Sequence, residues 1–244
     1  MKATPFEFRF RVWIVVAFYL LGFWAPWARY GAVAPPTTAW LALSTTLARW
    51  GWLPLDNATI LVTSLAILLT LAGAALRIWG TAYLGSSIVH SSSMHGNQVM
   101  VSGPYRYVRN PLYLGTWLFA IGVSILMPPT GALFFLVVMA LFYIRLILGE
   151  EAFLGSRLGT PYQEYRQRVP RLFPSPRARV PASAAHPHWF ESAYSEIFAA
   201  GFAVCYAVLA WHYDPRLLMR CLLICFGLSL VARALLPQPP ASAG

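Results

Sequence analysis

Long apolar runs separated by short polar punctuation dominate this chain, and their lengths are those of membrane helices. Runs at about 12–30, 58–84, 111–127, 130–148, 197–212 and 216–236 approach the roughly 20 residues that a helix needs to cross a bilayer core. A weaker run at 38–53 is set aside, because Arg49, Pro54 and scattered threonines interrupt it. The expected fold is all-α, a polytopic integral membrane helical bundle of about six spans. Two of the runs make a hairpin that turns at Met127-Pro128-Pro129. At about 1.5 Å per residue, 111–127 descends roughly 25 Å and 130–148 returns roughly 28 Å. Arg109, Asn110 and Tyr113, where the hairpin begins, should then stand level with Glu150 and Glu151, where it ends.

The punctuation also divides the chain. Residues 1–56 read as an N-terminal span with an outer loop, 57–175 as a core, and 176–196 as a basic, Pro-rich connector with little structure of its own. Residues 197–244 read as a C-terminal helical hairpin without a polar constellation, which suits an appended scaffold or a contact surface.

Composition supports the membrane class: 58% of residues are hydrophobic and 11% charged, whereas soluble domains carry about 25% charge. The net charge of +10 raises nucleic acid as a partner, but its placement argues for a membrane. Arg157, Arg166, Arg168, Arg171, Arg177 and Arg179 cluster between spans, and Lys2, Arg9 and Arg11 precede the first one. The positive-inside rule puts both groups in the cytoplasm, so a pocket at the Arg109–Glu151 level faces the cytoplasm too. Membrane lipids, with their anionic headgroups, are the expected partners, and no nucleic acid, since no recognition motif accompanies the charge. The basic start and Ala32-Val33-Ala34 imitate a signal peptide. Pro35, Pro36 and the tryptophans Trp13, Trp24 and Trp27 favour a retained span instead.

Cys205, Cys221 and Cys225 read as small buried apolar residues of the last two runs. No metal site is expected, because His90 and His95 are poorly spaced in a Ser-rich loop and His186 and His188 lie in the Pro-rich linker.

The chemistry concentrates in VMVSGPYRYVRNPLYLG, residues 99–115, where a Gly-Pro turn, two arginines and three tyrosines precede an apolar helix. Glu150 and Glu151 close the returning helix, and adjacent acids there must be either at the surface or paired. Arg145, about one turn earlier, needs a partner; Glu150 or a substrate carboxylate would fit. Arg77, inside the 58–84 run, raises the same question, with a partner or snorkelling as alternatives.

GPYRYVRNPLYLG, an apolar hairpin, and then EEAFLGSRLGTPYQEYRQRVPRLFP resembles the isoprenylcysteine carboxyl methyltransferase family and its phospholipid methyltransferase relatives. The resemblance runs from about 77 to 174, and it would make 57–175 the methyltransferase core. One position departs from the family pattern: where that pattern has the His of Arg-His-Pro, this chain has Asn110, which hydrogen-bonds but cannot titrate.

The resemblance implies S-adenosylmethionine as cofactor, held without a Gly-rich dinucleotide loop. Arg109 would take its carboxylate through a planar fork of donors. Asn110 and Pro111 would belong to the same contact, and Glu150 or Glu151 would accept from the ammonium or ribose. Tyr105 and Tyr113 would flank the adenine or the sulfonium. Gln98, Val99 and Met100 complete the cofactor set, with backbone from Val99 to Val101 turned to the adenine edge. Arg145 and Glu150 are the candidate catalytic pair. The acceptor is expected to be an amphiphilic small molecule or a lipidated substrate, prenylated cysteine being the family's name-giving one. Two other readings stay open: a membrane NAD(P)H-dependent reductase of the sterol-reductase type, and a non-catalytic membrane interaction protein.

Overall fold

A computed structural model describes residues 2–24, 37–85, 99–183 and 185–235, and the described residues fold as helices with no strand. The signal-peptide-like 32–34, Gln98, and the His90/His95 pair lie outside the described residues.

The helices are α1 (Pro5–Arg9), α2 (Arg11–Trp24), α3 (Ala39–Arg49), α4 (Leu55–Leu84), α5 (Pro111–Ser124), α6 (Pro129–Leu158), α7 (Thr160–Arg168), α8 (Trp189–Ser195), α9 (Ile197–Leu209) and α10 (Pro215–Leu235). A short 3₁₀ turn at Gly103–Arg106 precedes α5. Proline opens α5, α6, α7 and α10, where its missing N–H costs nothing.

Three helices are long and apolar enough to cross a membrane: Leu55–Leu84, Pro129–Leu158 and Pro215–Ala232. The α8–α9 pair, Trp189–Ser195 with Ile197–His212, passes the same test together but bends by 76°. The described residues thus give three spans, or four with the bent pair, against the six expected. Arg11–Trp24 and Pro111–Ser124 are apolar but short. The 111–127 run stops early because its end is used as a turn: the Ile125 and Met127 carbonyls accept from the amides of Trp40 and Ala39 at 2.8 and 2.7 Å. Those amides open α3, an 11-residue helix formed by the run that had been set aside. Thr38 caps it and the Trp40 indole donates to Thr63 at 3.1 Å, so it is well anchored although too short to span.

Backbones approach most closely between α4 and α5. A Cβ added at Gly73 would stand 2.5 Å from the Gly115 carbonyl oxygen, and one at Gly122 would stand 2.7 Å from that of Ala66. This is the small-residue packing that joins helices in lipid, where burial of apolar surface supplies no preference for a helical partner. The tight α4–α5 pair fixes Arg77 and Thr116 side by side; α9 packs on α4, and α10 packs on α9.

The chain after α7 has no regular structure of its own, and its backbone is held from outside: it lies along the 102–109 segment and exchanges hydrogen bonds with it. The Arg109 amide donates to Pro170 at 2.8 Å, Ser175 to Tyr107 at 2.9 Å, and Arg179 to Arg106 at 2.9 Å. The Arg106 guanidinium returns a bond to the Val180 carbonyl at 2.9 Å.

The N-terminal segment docks onto α6. Thr4 and Glu7 form a reciprocal capping box, and the Glu7 carboxylate accepts from Arg145 at 2.8 and 3.0 Å. The Ala3 amide donates to the Arg145 carbonyl at 3.0 Å. Hydrogen bonding to Arg145, before any other cause, lowers the Glu7 pKa from 4.5 to about 2. A carboxylate depressed in this way stabilises docking above its free value and loses that contribution as pH falls through the folded one. Hydrogen-exchange protection of the Ala3 amide is therefore expected to decline between about pH 4.5 and 2, and Glu7→Gln to abolish the dependence. Protection that stays level over that interval would break the link.

Candidate functional site

The sequence places Pro111 at the start of α5 and so presets the helix, while Asn110 before it is pushed out of the helical region (φ −121°, ψ 58°). Arg109 and Asn110 therefore face the returning end of α6. The hairpin count holds. Glu151, 4% exposed, accepts from the Asn110 amide at 3.3 Å and from Arg171 at 2.8–3.2 Å, and lies 3.3 Å from Arg109 Nη1. Glu150 accepts from the Tyr113 hydroxyl at 3.0 Å. The acids are paired, which is what two adjacent carboxylates at a membrane surface require. Asn110 completes its cluster by also donating to the Arg171 carbonyl at 3.2 Å, so the amide acts here as a fixed clamp with no need to titrate.

Among the described residues, three buried polar atoms are left without a hydrogen-bond partner: the Tyr105 hydroxyl and the Nε and Nη1 of Arg109. Nη1 is close enough to Glu151 for a charge contact but is not aligned for a hydrogen bond with it. Leaving such groups unsatisfied costs about 1–3 kcal/mol each, more for a charged one, which a ligand would recover. Burial pushes the Tyr105 phenol above its ordinary range and pushes Tyr162 up to about 12, so both are neutral O–H donors at physiological pH. The Tyr165 hydroxyl holds the Tyr105 backbone by donating to its carbonyl at 2.8 Å.

All these groups open on a cavity of about 680 Å³. Val99, Met100, Tyr105, Arg109, Asn110 and Pro111 line one end of it. One turn deeper are Tyr113 and Glu150. Deeper again are Arg77, Thr116, Tyr143 and Glu196, and beyond them an apolar chamber walled by Phe119, Phe198, Leu222 and Phe226. The cavity thus runs from the Arg109–Glu151 cluster past the Arg77–Glu196 pair to an apolar chamber.

Arg145 does not join it. The expected pairing with Glu150 is replaced by the pair with Glu7. The reason is helical phase: five residues at about 100° each set Arg145 about 140° around α6 from Glu150. Tyr143, Leu146 and Glu150, spaced three and four apart, share the cavity face instead.

Arg77 has its partner in Glu196, at the α8–α9 bend. The two share two bonds of 2.7 Å, with Thr116 accepting from Arg77 at 2.6 Å and Thr81 donating to Glu196 at 3.0 Å. The region around the C-terminal hairpin therefore carries a polar constellation at its leading edge, and α9 and α10 form cavity wall. Sequence reading missed this pair and Arg171, because the partners are 119 and 20 residues apart. The one available signal was Arg77 itself, a charge inside an apolar run.

Among the described residues no group of His, Cys, Asp or Glu could hold a metal ion. Free Cys205, Cys221 and Cys225 lie on α9 and α10.

Fold and site define an all-helical integral membrane protein with an ionic, buried cavity mouth built by a helical hairpin. Residues 60–160, which contain that hairpin, match the phospholipid methyltransferase family. The segment is also similar to protein-S-isoprenylcysteine O-methyltransferases. That of Schizosaccharomyces pombe is 36% identical over 90 residues, 36% of this chain and 38% of the relative. A probable one of Oryza sativa subsp. indica is 28% identical over 112 residues, 44% of this chain and 59% of the relative. Enzyme B of Arabidopsis thaliana is 27% identical over 117 residues, 46% of this chain and 59% of the relative. The family resemblance read from the sequence thus holds over the hairpin. The chain matches these relatives over 38–59% of their length. No solved structure matches it significantly.

Proposed function

We propose that this protein is an S-adenosylmethionine-dependent methyltransferase that works in the membrane on an amphiphilic acceptor, a lipid or a prenylated or carboxylate-bearing molecule. The observation that carries the reading is the unsatisfied, buried trio of Arg109 Nε, Arg109 Nη1 and Tyr105 Oη at the ionic end of a cavity whose other end is apolar. The donor set fits the cofactor's polar groups. Arg109 would bind its carboxylate, Glu150 and Glu151 its ammonium or ribose hydroxyls, and Tyr105 and Tyr113 would flank the adenine or the sulfonium. When bound, the cofactor supplies an electrophilic methyl group.

The chain's own contribution is alignment and dehydration. Tyr113 and Glu150 fix each other at 3.0 Å, and Tyr113 is further held edge-on against Tyr143, ring centroids 5.4 Å apart. Holding two reactants in register is worth roughly 7–11 kcal/mol of barrier. The apolar chamber would take the acceptor's tail and exclude water, leaving its head beside Glu150. A carboxylate head would need no base; for an amine or hydroxyl, Glu150 is the acceptor of the proton.

Calorimetry of the detergent-purified protein with S-adenosylhomocysteine and with NADPH tests the cofactor, and binding of NADPH alone would overturn it in favour of a reductase. A radiolabelled methyl-transfer screen then compares lipid extract with soluble extract. Label is expected in the lipid fraction; label confined to soluble products would exclude an amphiphilic acceptor.

The charge distribution favours a cytoplasmic mouth. In a variant with the native cysteines replaced, Gln163→Cys is expected to stay unlabelled from outside intact cells while Thr130→Cys is labelled. The reverse pattern would invert the orientation.

A further inference from the structure

Arg109 walls two cavities. On its other side, between α7 and the connector, lies a groove of about 450 Å³ lined also by Arg166, Arg168, Phe173 and Arg179. No Asp or Glu lines it. We propose that this groove binds the phosphate of an anionic phospholipid headgroup, separately from the methyl-transfer cavity.

The groove is built, not a chance gathering of surface arginines. Its floor, Val169, is 1% exposed and packs with Tyr162, Tyr165 and Val180. Its far wall is held by the backbone bonds from Arg109 to Pro170, Ser175 to Tyr107 and Arg179 to Arg106, and the Arg179 guanidinium is oriented by the Ser175 hydroxyl at 2.8 Å. Arg166, Arg168 and Arg179 bring guanidiniums to a groove that no acid lines, and a guanidinium can donate parallel hydrogen bonds to a pair of phosphate oxygens. Glu151, the acid that Arg109 does meet, is already shared with Arg171.

The source of the phosphate is argued by Phe173, which lines the groove and is 88% exposed. An aromatic side chain left in water beside a basic groove suits neither a soluble anion site nor a solvated loop. It suits the headgroup layer, where the ring enters the acyl boundary and the arginines meet the phosphates. The groove's position agrees, since α7 directly follows the C-terminal end of the α6 span and Arg109 directly precedes α5.

The test uses the full chain in uncharged detergent, with binding read by native mass spectrometry. The probes are short-chain phosphatidylglycerol, phosphatidylcholine of the same chain length, and inorganic phosphate. Phosphatidylglycerol is expected to bind at least about tenfold more tightly than either of the others, with an affinity that falls as salt rises. The Arg166→Gln/Arg168→Gln variant should lose about tenfold or more of that affinity while keeping the wild-type thermal unfolding temperature. Equal phosphatidylglycerol binding by this folded variant would overturn the site. If the double variant fails to fold, Phe173→Ser decides, with at least a severalfold loss expected and no loss overturning the lipid assignment. Inorganic phosphate binding as tightly as the lipid would overturn it as well.

Discussion

Glu196→Ala is expected to destabilise the detergent-solubilised protein by about 3–5 kcal/mol, because it strands the Arg77 guanidinium among apolar helices. Arg77→Ala should cost a similar amount by stranding Glu196, which is 3% exposed and bonded to Arg77 at 2.7 Å. The double exchange Arg77→Met/Glu196→Leu fills the same space without charge and should recover most of the loss, as replaced buried ion pairs commonly do. Thermal unfolding of the four proteins measures the cycle. Single variants within about 0.5 kcal/mol of wild type would show that the pair is not energetically coupled. The effect is large because the partners belong to different parts of the chain: Arg77 lies on α4, within the matched segment, and Glu196 at the bend outside it.

Arg109→Ala should weaken S-adenosylhomocysteine binding about tenfold or more, equivalent to about 1.4 kcal/mol. The side chain is 9% exposed, and its free donors point at the ionic end of the cavity. Arg109→Lys is not expected to rescue the loss, since an ammonium cannot reproduce the planar fork. Calorimetry on folded variants settles it, and an unchanged affinity would remove Arg109 from the cofactor contact. Its removal also relaxes the Glu151 cluster, where Arg171 and Asn110 remain as partners. Some loss of thermal stability should therefore accompany the loss of binding.

What the sequence made legible follows distance along the chain. The hairpin can be counted out residue by residue, which sets Arg109, Asn110, Tyr113, Glu150 and Glu151 at one level. Helical phase was equally available, and applying it to Arg145 would have turned that arginine away from Glu150. Its actual partner, Glu7, is 138 residues distant, and nothing local identifies it. The same holds for Glu196 and for the connector, which is held by hydrogen bonds to the 102–109 loop and to Ala82. Prolines and arginines there read as unstructured because a propensity argument cannot count bonds to a distant backbone. The end of the 111–127 run differs for another reason. Residues 125–127 are as apolar as the helix before them, but their carbonyls are spent on the start of α3.

The long loop closed by Arg77 and Glu196 has a consequence for biogenesis. The 119-residue separation between them spans α5, α6 and the whole connector, all of which leave the ribosome before the acid does. During that interval α4 carries an unneutralised guanidinium into or alongside the bilayer, a state that insertion energetics tolerate at a cost of about 2.5–3.5 kcal/mol. Thr116 on α5 reaches the guanidinium first and gives it a hydrogen bond but no countercharge. The countercharge of Arg77 therefore joins α4 only once the α8–α9 bend has been made.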